Sequence, residues 1–307
     1  MKPDEVREAL DDLISAVDYI RWGASSMSRG GVYCGHGYAD PLDESLALVL
    51  HVLGLPHGTP DALLAGRLTR REREQIVNLL SRRTGERIPL AYLLGEAWFA
   101  GRPFFTDSRA LVPRSPFAEM VEKQFAPWVE AESVSRIVEL GTGGGAIAVA
   151  AALAFPWAEV HAVDICPDAL ELARSNVERY DLEERVFLHR GDLFEPLAGA
   201  RFDLVIANPP YVPDIDVDAA PPEFHHEPRL GLAAGEDGMD IVRRIVADAG
   251  AHLFDDGVLM VEVGASWPQI EHEFADLGFA WAELEHGGDG IFVVESDALS
   301  LFSGEDR

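Results

Sequence analysis

Ile137-Val138-Glu139-Leu140-Gly141-Thr142-Gly143-Gly144-Gly145-Ala146-Ile147-Ala148-Val149-Ala150 passes from a short apolar strand pattern through a glycine cluster into an alanine-rich helix. Glycines at such a junction let the backbone turn tightly and approach a ligand with no Cβ in the way. The spacing is Gly-x-Gly-x-Gly, not the dinucleotide Gly-x-Gly-x-x-Gly, and no Lys-Ser or Lys-Thr follows as a P-loop requires. Further apolar runs follow at Val160–Val163, Val186–Leu188, Leu204–Ile206 and Val258–Val263. Helical stretches separate them, with Leu170, Ala173 and Val177 on one face, for example. Repeated β-α units predict a parallel sheet with helices on both faces. The chain closes with Phe279–Leu284, a turn at Gly287-Gly288-Asp289-Gly290, and Ile291–Val294, a hairpin that makes the last strand antiparallel. The fold class expected is therefore α/β: a Rossmann-like, seven-stranded sheet with its last strand antiparallel.

Upstream, the organisation differs. Val6, Leu10, Leu13, Ile14 and Val17 fall at helical spacing, and a Gly30-Gly31 to Gly35-His36-Gly37 loop follows. Further helices are expected near Leu46–Leu53 and Glu72–Leu80. Residues 1–88 thus read as a small helical domain, a candidate for substrate recognition. From Leu90 to Phe105, runs at Ala91-Tyr92-Leu93-Leu94, Trp98-Phe99 and Phe104-Phe105 surround Gly95 and Gly101. That pattern predicts a linking β-hairpin over residues 89–106, with the α/β domain over 107–307.

The 307 residues suffice for one large and one smaller domain, and 48% hydrophobic with 25% charged is an ordinary globular balance. No run reaches the roughly 20 apolar residues that span a bilayer; Ala146–Ala154 is the longest candidate. The start, Met1-Lys2-Pro3-Asp4-Glu5, carries acids where a signal peptide carries bases, and Cys34 and Cys166 are the only cysteines. A cytoplasmic protein is expected. The 53 acids against 25 Lys plus Arg give a net charge of −28. Such a field repels bare nucleic acid and attracts basic partners, and it equally serves plain solubility.

Two acids follow strand ends. Asp164 closes Val160-His161-Ala162-Val163-Asp164, where a carboxylate can accept from both hydroxyls of a ribose. Taken alone, it also fits a helix N-cap before Pro167. Asp192, in Gly191-Asp192-Leu193-Phe194, can accept from an adenine amine while Leu193 and Phe194 pack the ring; a solvated turn is the other reading.

The fourth strand of the repeat, Phe202–Ala207, runs directly into Asn208-Pro209-Pro210-Tyr211. Ligands of open α/β sheets sit beyond the carboxyl ends of the strands, where this tetrapeptide falls. Two prolines fix φ and remove two donors, so nearby carbonyls remain free to accept. The Asn208 side chain and the Pro209 carbonyl can each take one N–H of a planar NH₂ group, and Tyr211 can pack over its plane. An amide nitrogen is a poor nucleophile because its lone pair is delocalised. Holding both hydrogens turns that lone pair toward an electrophile as the transition state forms. A methyl on a sulfonium is then attacked in line, and positioning supplies much of the gain.

These motifs together resemble those of the protein-(glutamine amide) methyltransferases, and most closely the branch acting on large-subunit ribosomal protein L-three. The likeness extends over nearly the whole chain. It is carried by Arg21-Trp22, Gly35-His36-Gly37, Glu86-Arg87-Ile88-Pro89, Ala97-Trp98-Phe99 with Gly101, and Leu111-Val112-Pro113-Arg114-Ser115-Pro116. Asn208–Tyr211, Glu227-Pro228 with Gly231-Leu232, and Gly287-Gly288-Asp289-Gly290 complete it. The sister branch acting on peptide-release factors carries Pro-Arg-Pro-Asp-Thr-Glu where this chain has Pro113-Arg114-Ser115-Pro116 running on to Glu119. The resemblance implies S-adenosyl-L-methionine as cofactor, S-adenosylhomocysteine as its product, and the basic L-three protein as partner. No stable nucleic-acid binding, no membrane and no metal are expected from the charge, the apolar run lengths and the ligand spacing. It implies cofactor contacts from Glu139, Gly141, Thr142, Gly143, Gly144, Gly145, Asp164, Asp192, Leu193 and Asn208. Substrate contacts fall to Asn208, Pro209, Pro210, Tyr211 and Arg114. One departure is visible: Gly144 stands where relatives usually carry Ser.

Other eye-catching residues read as structural. His225-His226-Glu227 offers adjacent histidines that point apart, with no third ligand evident. Trp98, Phe99, Phe104 and Phe105 read as hairpin core. Arg114 and Glu119 either order the mouth of the site or form a surface ion pair. Competing functions are an adenine-amine methyltransferase, which needs a basic groove that −28 argues against, a release-factor enzyme, and a non-catalytic assembly factor.

Overall fold

The structure, a computed structural model, describes residues 2–285 and 290–302. The turn expected at Gly287-Gly288-Asp289 lies outside the described residues. The chain divides into two compact units: Met1–Ala97 with Pro221–His226, and Trp98–Ala220 with Glu227–Arg307.

The first unit is helical. The single opening helix expected from Val6 to Val17 is in fact two, Pro3–Asp12 and Ala16–Arg29. The break is chemical: Ser15 accepts from the Asp18 N–H while the Asp18 carboxylate accepts from the Ser15 N–H at 2.9 Å, closing a capping box. Helices Pro41–Leu53 and Arg70–Gly85 follow, capped by Asp40 and Thr69. Tyr19, Met27, Leu48, Val49, Ile76 and Leu80 form their buried core. Ala91–Leu94, expected in the linking hairpin, instead lies in a short helix, Leu90–Leu94, that ends on a left-handed Gly95. The segment Pro221–His226 belongs to this helical unit although it falls far downstream in sequence, a division the sequence reading did not make. Arg83, 1% exposed, holds it through Glu223 at 3.3 Å and also pairs with Glu44.

A hairpin of β1 (Glu96–Phe99) and β2 (Arg102–Phe105) leads the chain into the second unit, which starts at Trp98, inside β1. Phe99 and Phe104 are buried, but Trp98 and Phe105 face outward. All four were expected in the core; alternation along a strand sends neighbours to opposite faces. Seven strands follow: β3 (Arg136–Leu140), β4 (Glu159–Asp164), β5 (Val186–Arg190), β6 (Phe202–Ala207), β7 (Leu253–Glu262), β8 (Ala280–Trp281) and β9 (Ile291–Glu295). They pair in the order β5-β4-β3-β6-β7-β9-β8, with β9 antiparallel to both its neighbours. Strand residues alternate between two apolar layers. Ile137, Leu204, Ile206, Val258 and Met260 enter one with Phe117, Ile147 and Phe155. Val138, Val205, Leu259 and Val261 enter the other with Val242, Ile245 and Ile270. A sheet covered on both faces explains why its strands read as continuous apolar runs. No helix among the described residues is long and apolar enough to cross a membrane.

Candidate active site

Strand order reverses beside β3, the one strand flanked by both β4 and β6, and the crevice beyond such a switch point is where open α/β sheets hold ligands. Register decides which residues meet there. Leu140 pairs with Val163 on one side and with Ala207 on the other. The next residues, Gly141, Asp164 and Asn208, therefore emerge side by side, and a Cβ on Gly141 would lie 3.8 Å from the Asn208 carbonyl oxygen. Ala207 pairs in turn with Val261, so Glu262 comes out beside Asn208 on its far side.

Gly141, Gly143 and Gly145 have φ of +72°, +53° and +79°, left-handed values that would strain any side chain. Gly145 starts the helix Ala146–Ala154, and a Cβ there would come within 3.0 Å of Ala173. Gly144, the departure from the family pattern, has no left-handed φ, and a Cβ there would lie 3.3 Å from Leu172 Cδ2, so a side chain needs only a small shift of that leucine. Inside the loop, Glu139 accepts from the Thr142 hydroxyl at 2.5 Å and the Ala148 N–H at 2.8 Å. Burial pushes its carboxyl up to about 8, against those two bonds. Asn176, fully buried, binds the Gly144 carbonyl and both backbone groups of Phe105, tying the loop to the hairpin. Sequence reading missed it, because a polar residue on a helix carries no signal of its distant partners.

Asp164 accepts the Gly143 and Cys166 N–H groups, each at 2.8 Å. It does not cap the following helix, whose N-cap is Cys166. Burial raises its carboxyl, while the two backbone bonds favour the ionised form. Asp192 gives one carboxylate oxygen to Arg244 at 2.8 Å. Leu193, partly buried, adopts a left-handed φ of +50°. Phe194, expected against the adenine ring, is instead core: 4% exposed and stacked on the His252 imidazole with centroids 4.3 Å apart.

The tetrapeptide leaves β6 with Pro209 buried and Asn208, Pro210 and Tyr211 half-buried. Tyr211 is gripped from the end of β7. Its hydroxyl donates to Glu262 at 3.1 Å, and its carbonyl accepts from the Ser266 hydroxyl at 3.1 Å. Its ring lies so close to Gly264 that a Cβ there would stand 2.9 Å from Cε2. Burial first, and then the Glu262 charge, raise the Tyr211 phenol above its ordinary value. The second Glu262 oxygen takes the Ser115 hydroxyl at 2.5 Å. Glu262 itself is 5% exposed, and burial raises its carboxyl against these two bonds. It was not singled out in the sequence, although an acid closing an apolar strand run was the available signal.

Arg114, expected at the substrate, forks onto Glu227 at 2.5 and 2.8 Å, and Glu227 also accepts the Val112 N–H. Glu119, for its part, accepts from Lys123 and from the Glu285 N–H. Arg114 thereby joins two of the motif segments, Leu111–Pro116 and Glu227-Pro228. His226 binds the Glu86 carbonyl at 2.8 Å, so Glu227 and His226 turn to different partners.

The family described as "Methyltransferase small domain" matches residues 123–225. A ribosomal protein uL3 glutamine methyltransferase of Xanthomonas campestris is 47% identical, covering 96% of both chains. One from Bordetella pertussis is 44% identical, covering 92% of this chain and 95% of its own. Among solved structures, a methyltransferase from Pyrococcus furiosus is similar at TM-score 0.46 and 18% identity, covering 63% of this chain and 88% of that one. At such identity over nearly the full length, the chain belongs to the ribosomal protein uL3 glutamine methyltransferases.

Proposed function

We propose that the protein transfers a methyl group from S-adenosyl-L-methionine to the side-chain amide nitrogen of a glutamine in ribosomal protein uL3. The observation that carries this reading is the emergence of Asn208 beside Gly141 at the switch point, which sets an NH₂-holding tetrapeptide against a ligand cradle. The cradle suits the cofactor on two grounds: three left-handed glycines turn the chain with no Cβ in a ligand's way, and a half-buried acid stands at the adjacent strand tip. Gly141–Gly145, Asp164, Asp192 and Leu193 would hold it, with Glu139 and Thr142 shaping the loop. Bound there, it supplies an electrophilic methyl on a sulfonium and leaves as S-adenosylhomocysteine.

The chain's own part is to hold and orient. The Asn208 side-chain oxygen and the Pro209 carbonyl each accept one amide N–H, and Tyr211 lies over the amide plane. These bonds strengthen as the nitrogen gains positive character, so they favour the transition state over the bound ground state. The nitrogen becomes acidic only as the methyl arrives, so one of its two protons then leaves to water and no strong base is needed. Arg114, through Glu227, supports the wall of the site rather than touching the reacting atoms. An acidic chain and a basic ribosomal protein attract, and a substrate made and used at ribosomes is consistent with a cytoplasmic enzyme.

The test offers the enzyme labelled cofactor with uL3, release factors and nucleic acid in parallel. Label on a glutamine of uL3 is expected. Label on a release factor alone reassigns the substrate, and label on adenine overturns the substrate class. Asn208→Ala should fold and bind cofactor yet lose most of its turnover; near-normal single-turnover rates would remove the tetrapeptide from the chemistry.

A further inference from the structure

Glu262 is an acid that follows directly on the buried apolar run Val258–Val261 of its strand, and its burial demands a reason, because a carboxylate removed from water is costly unless its oxygens are satisfied. Each oxygen takes one hydroxyl, Ser115 on one and Tyr211 on the other. A tyrosine that gives its only proton to a carboxylate cannot donate it elsewhere, so toward any other group it can only accept. The ring is also confined by Gly264, and the backbone by Ser266. Residues 262–266 therefore form one clamp on the last residue of the tetrapeptide, delivered by the strand that pairs with β6. Ser115, in turn, fixes the carboxylate itself and accepts the Phe117 N–H at 3.1 Å, so its own hydroxyl is held.

We propose that Glu262 is a positioning residue for methyl transfer: anchored by Ser115, it fixes Tyr211 in the plane required over the substrate amide. The proposal rests on the reading of Asn208–Tyr211 as the amide-holding tetrapeptide. A purely architectural Glu262 would affect only how much protein folds. A positioning Glu262 sets the turnover of each folded molecule and acts through the Tyr211 hydroxyl.

The experiment measures kcat and KM for uL3 per cofactor-binding site, with binding sites counted by calorimetry, so that folding losses drop out. Glu262→Gln keeps an oxygen for Tyr211, and the Ser115 oxygen, with one lone pair on the Phe117 N–H, has a second for the new amide. This variant should stay within about threefold of the parent kcat. Glu262→Met keeps the volume without acceptors and should lower kcat by about tenfold or more, with cofactor affinity unchanged. Tyr211→Phe should lower kcat similarly, and adding Glu262→Met to it should cost less than about twofold more, because both remove the same bond. Parent-like kcat in Glu262→Met, or losses that multiply in the double variant, would overturn the proposal while leaving the tetrapeptide reading intact. Asn208→Ala run alongside separates the two: full turnover there overturns both.

Discussion

Asn176→Ala probes how the glycine loop is held. The Asn176 side chain donates to the Gly144 carbonyl at 2.8 Å and the Phe105 carbonyl at 3.0 Å, and accepts the Phe105 N–H at 2.8 Å. It is fully buried, so none of these bonds is shared with water in the native state. Three neutral bonds at about 1 kcal/mol each, with some relief where water reaches the exposed Phe105, give an expected loss of about 2–4 kcal/mol. Asn176→Asp should be worse than Ala, because a carboxylate would face two carbonyl oxygens in a dry site. Urea unfolding followed by circular dichroism gives the stability, and calorimetry gives cofactor affinity. Because Gly144 loses its tether, affinity should fall as well, by about tenfold if the loop loosens by one charge-free bond's worth of order. A change under about 0.5 kcal/mol in Asn176→Ala would refute the claim that this amide organises the loop.

Three further outcomes are expected. Asp164→Ala removes a carboxylate from the strand tip and should weaken cofactor binding by about 1.5–3 kcal/mol; unchanged affinity by calorimetry takes Asp164 out of the site. Burial raises Glu139 from 4.5 to about 8, so between those values the folded chain keeps a proton that the unfolded chain has released. Its contribution to stability is full below the lower value and lost as pH rises through the upper one. Glu139→Gln should therefore flatten the fall in unfolding free energy from about pH 5 to about pH 8.5, and identical slopes in both proteins would contradict the assignment. The net charge of −28 predicts that methylation of isolated uL3 slows as salt rises, mainly in the encounter step; a rate indifferent to ionic strength would dismiss electrostatic steering.

What could be read from the chain alone was what periodicity and backbone chemistry encode locally. The glycine loop, the sheet strands and the tetrapeptide declare themselves within a dozen residues, because buried parallel strands and strand-to-loop junctions have local signatures. The helix break at Ser15 was equally local, but hydrophobic spacing drew attention past its capping chemistry. Other features depend on partners distant in sequence. Ser115 and Glu262 stand 147 residues apart, and Asn176 reaches 71 residues back to Phe105. Nothing local marks such pairs. They exist because packing sets a helix residue, Asn176, against the end of β2, and a loop residue, Ser115, against the end of β7.

The Glu223 contacts bear on the order in which this protein can be completed during synthesis. Arg83 is joined to Glu223 across 140 residues, and the Tyr33 N–H reaches the same carboxylate across 190. A nascent chain that has emerged only as far as the first unit's helices already holds Arg83 and Glu44, but not the second carboxylate that the finished structure buries with them. Until the ribosome has made and released the intervening residues, that guanidinium lacks part of its compensation, and the helical unit stays open to water there. A fragment ending at residue 97 would remain in that condition permanently. The unit translated first is thus closed only after most of the other has been threaded out.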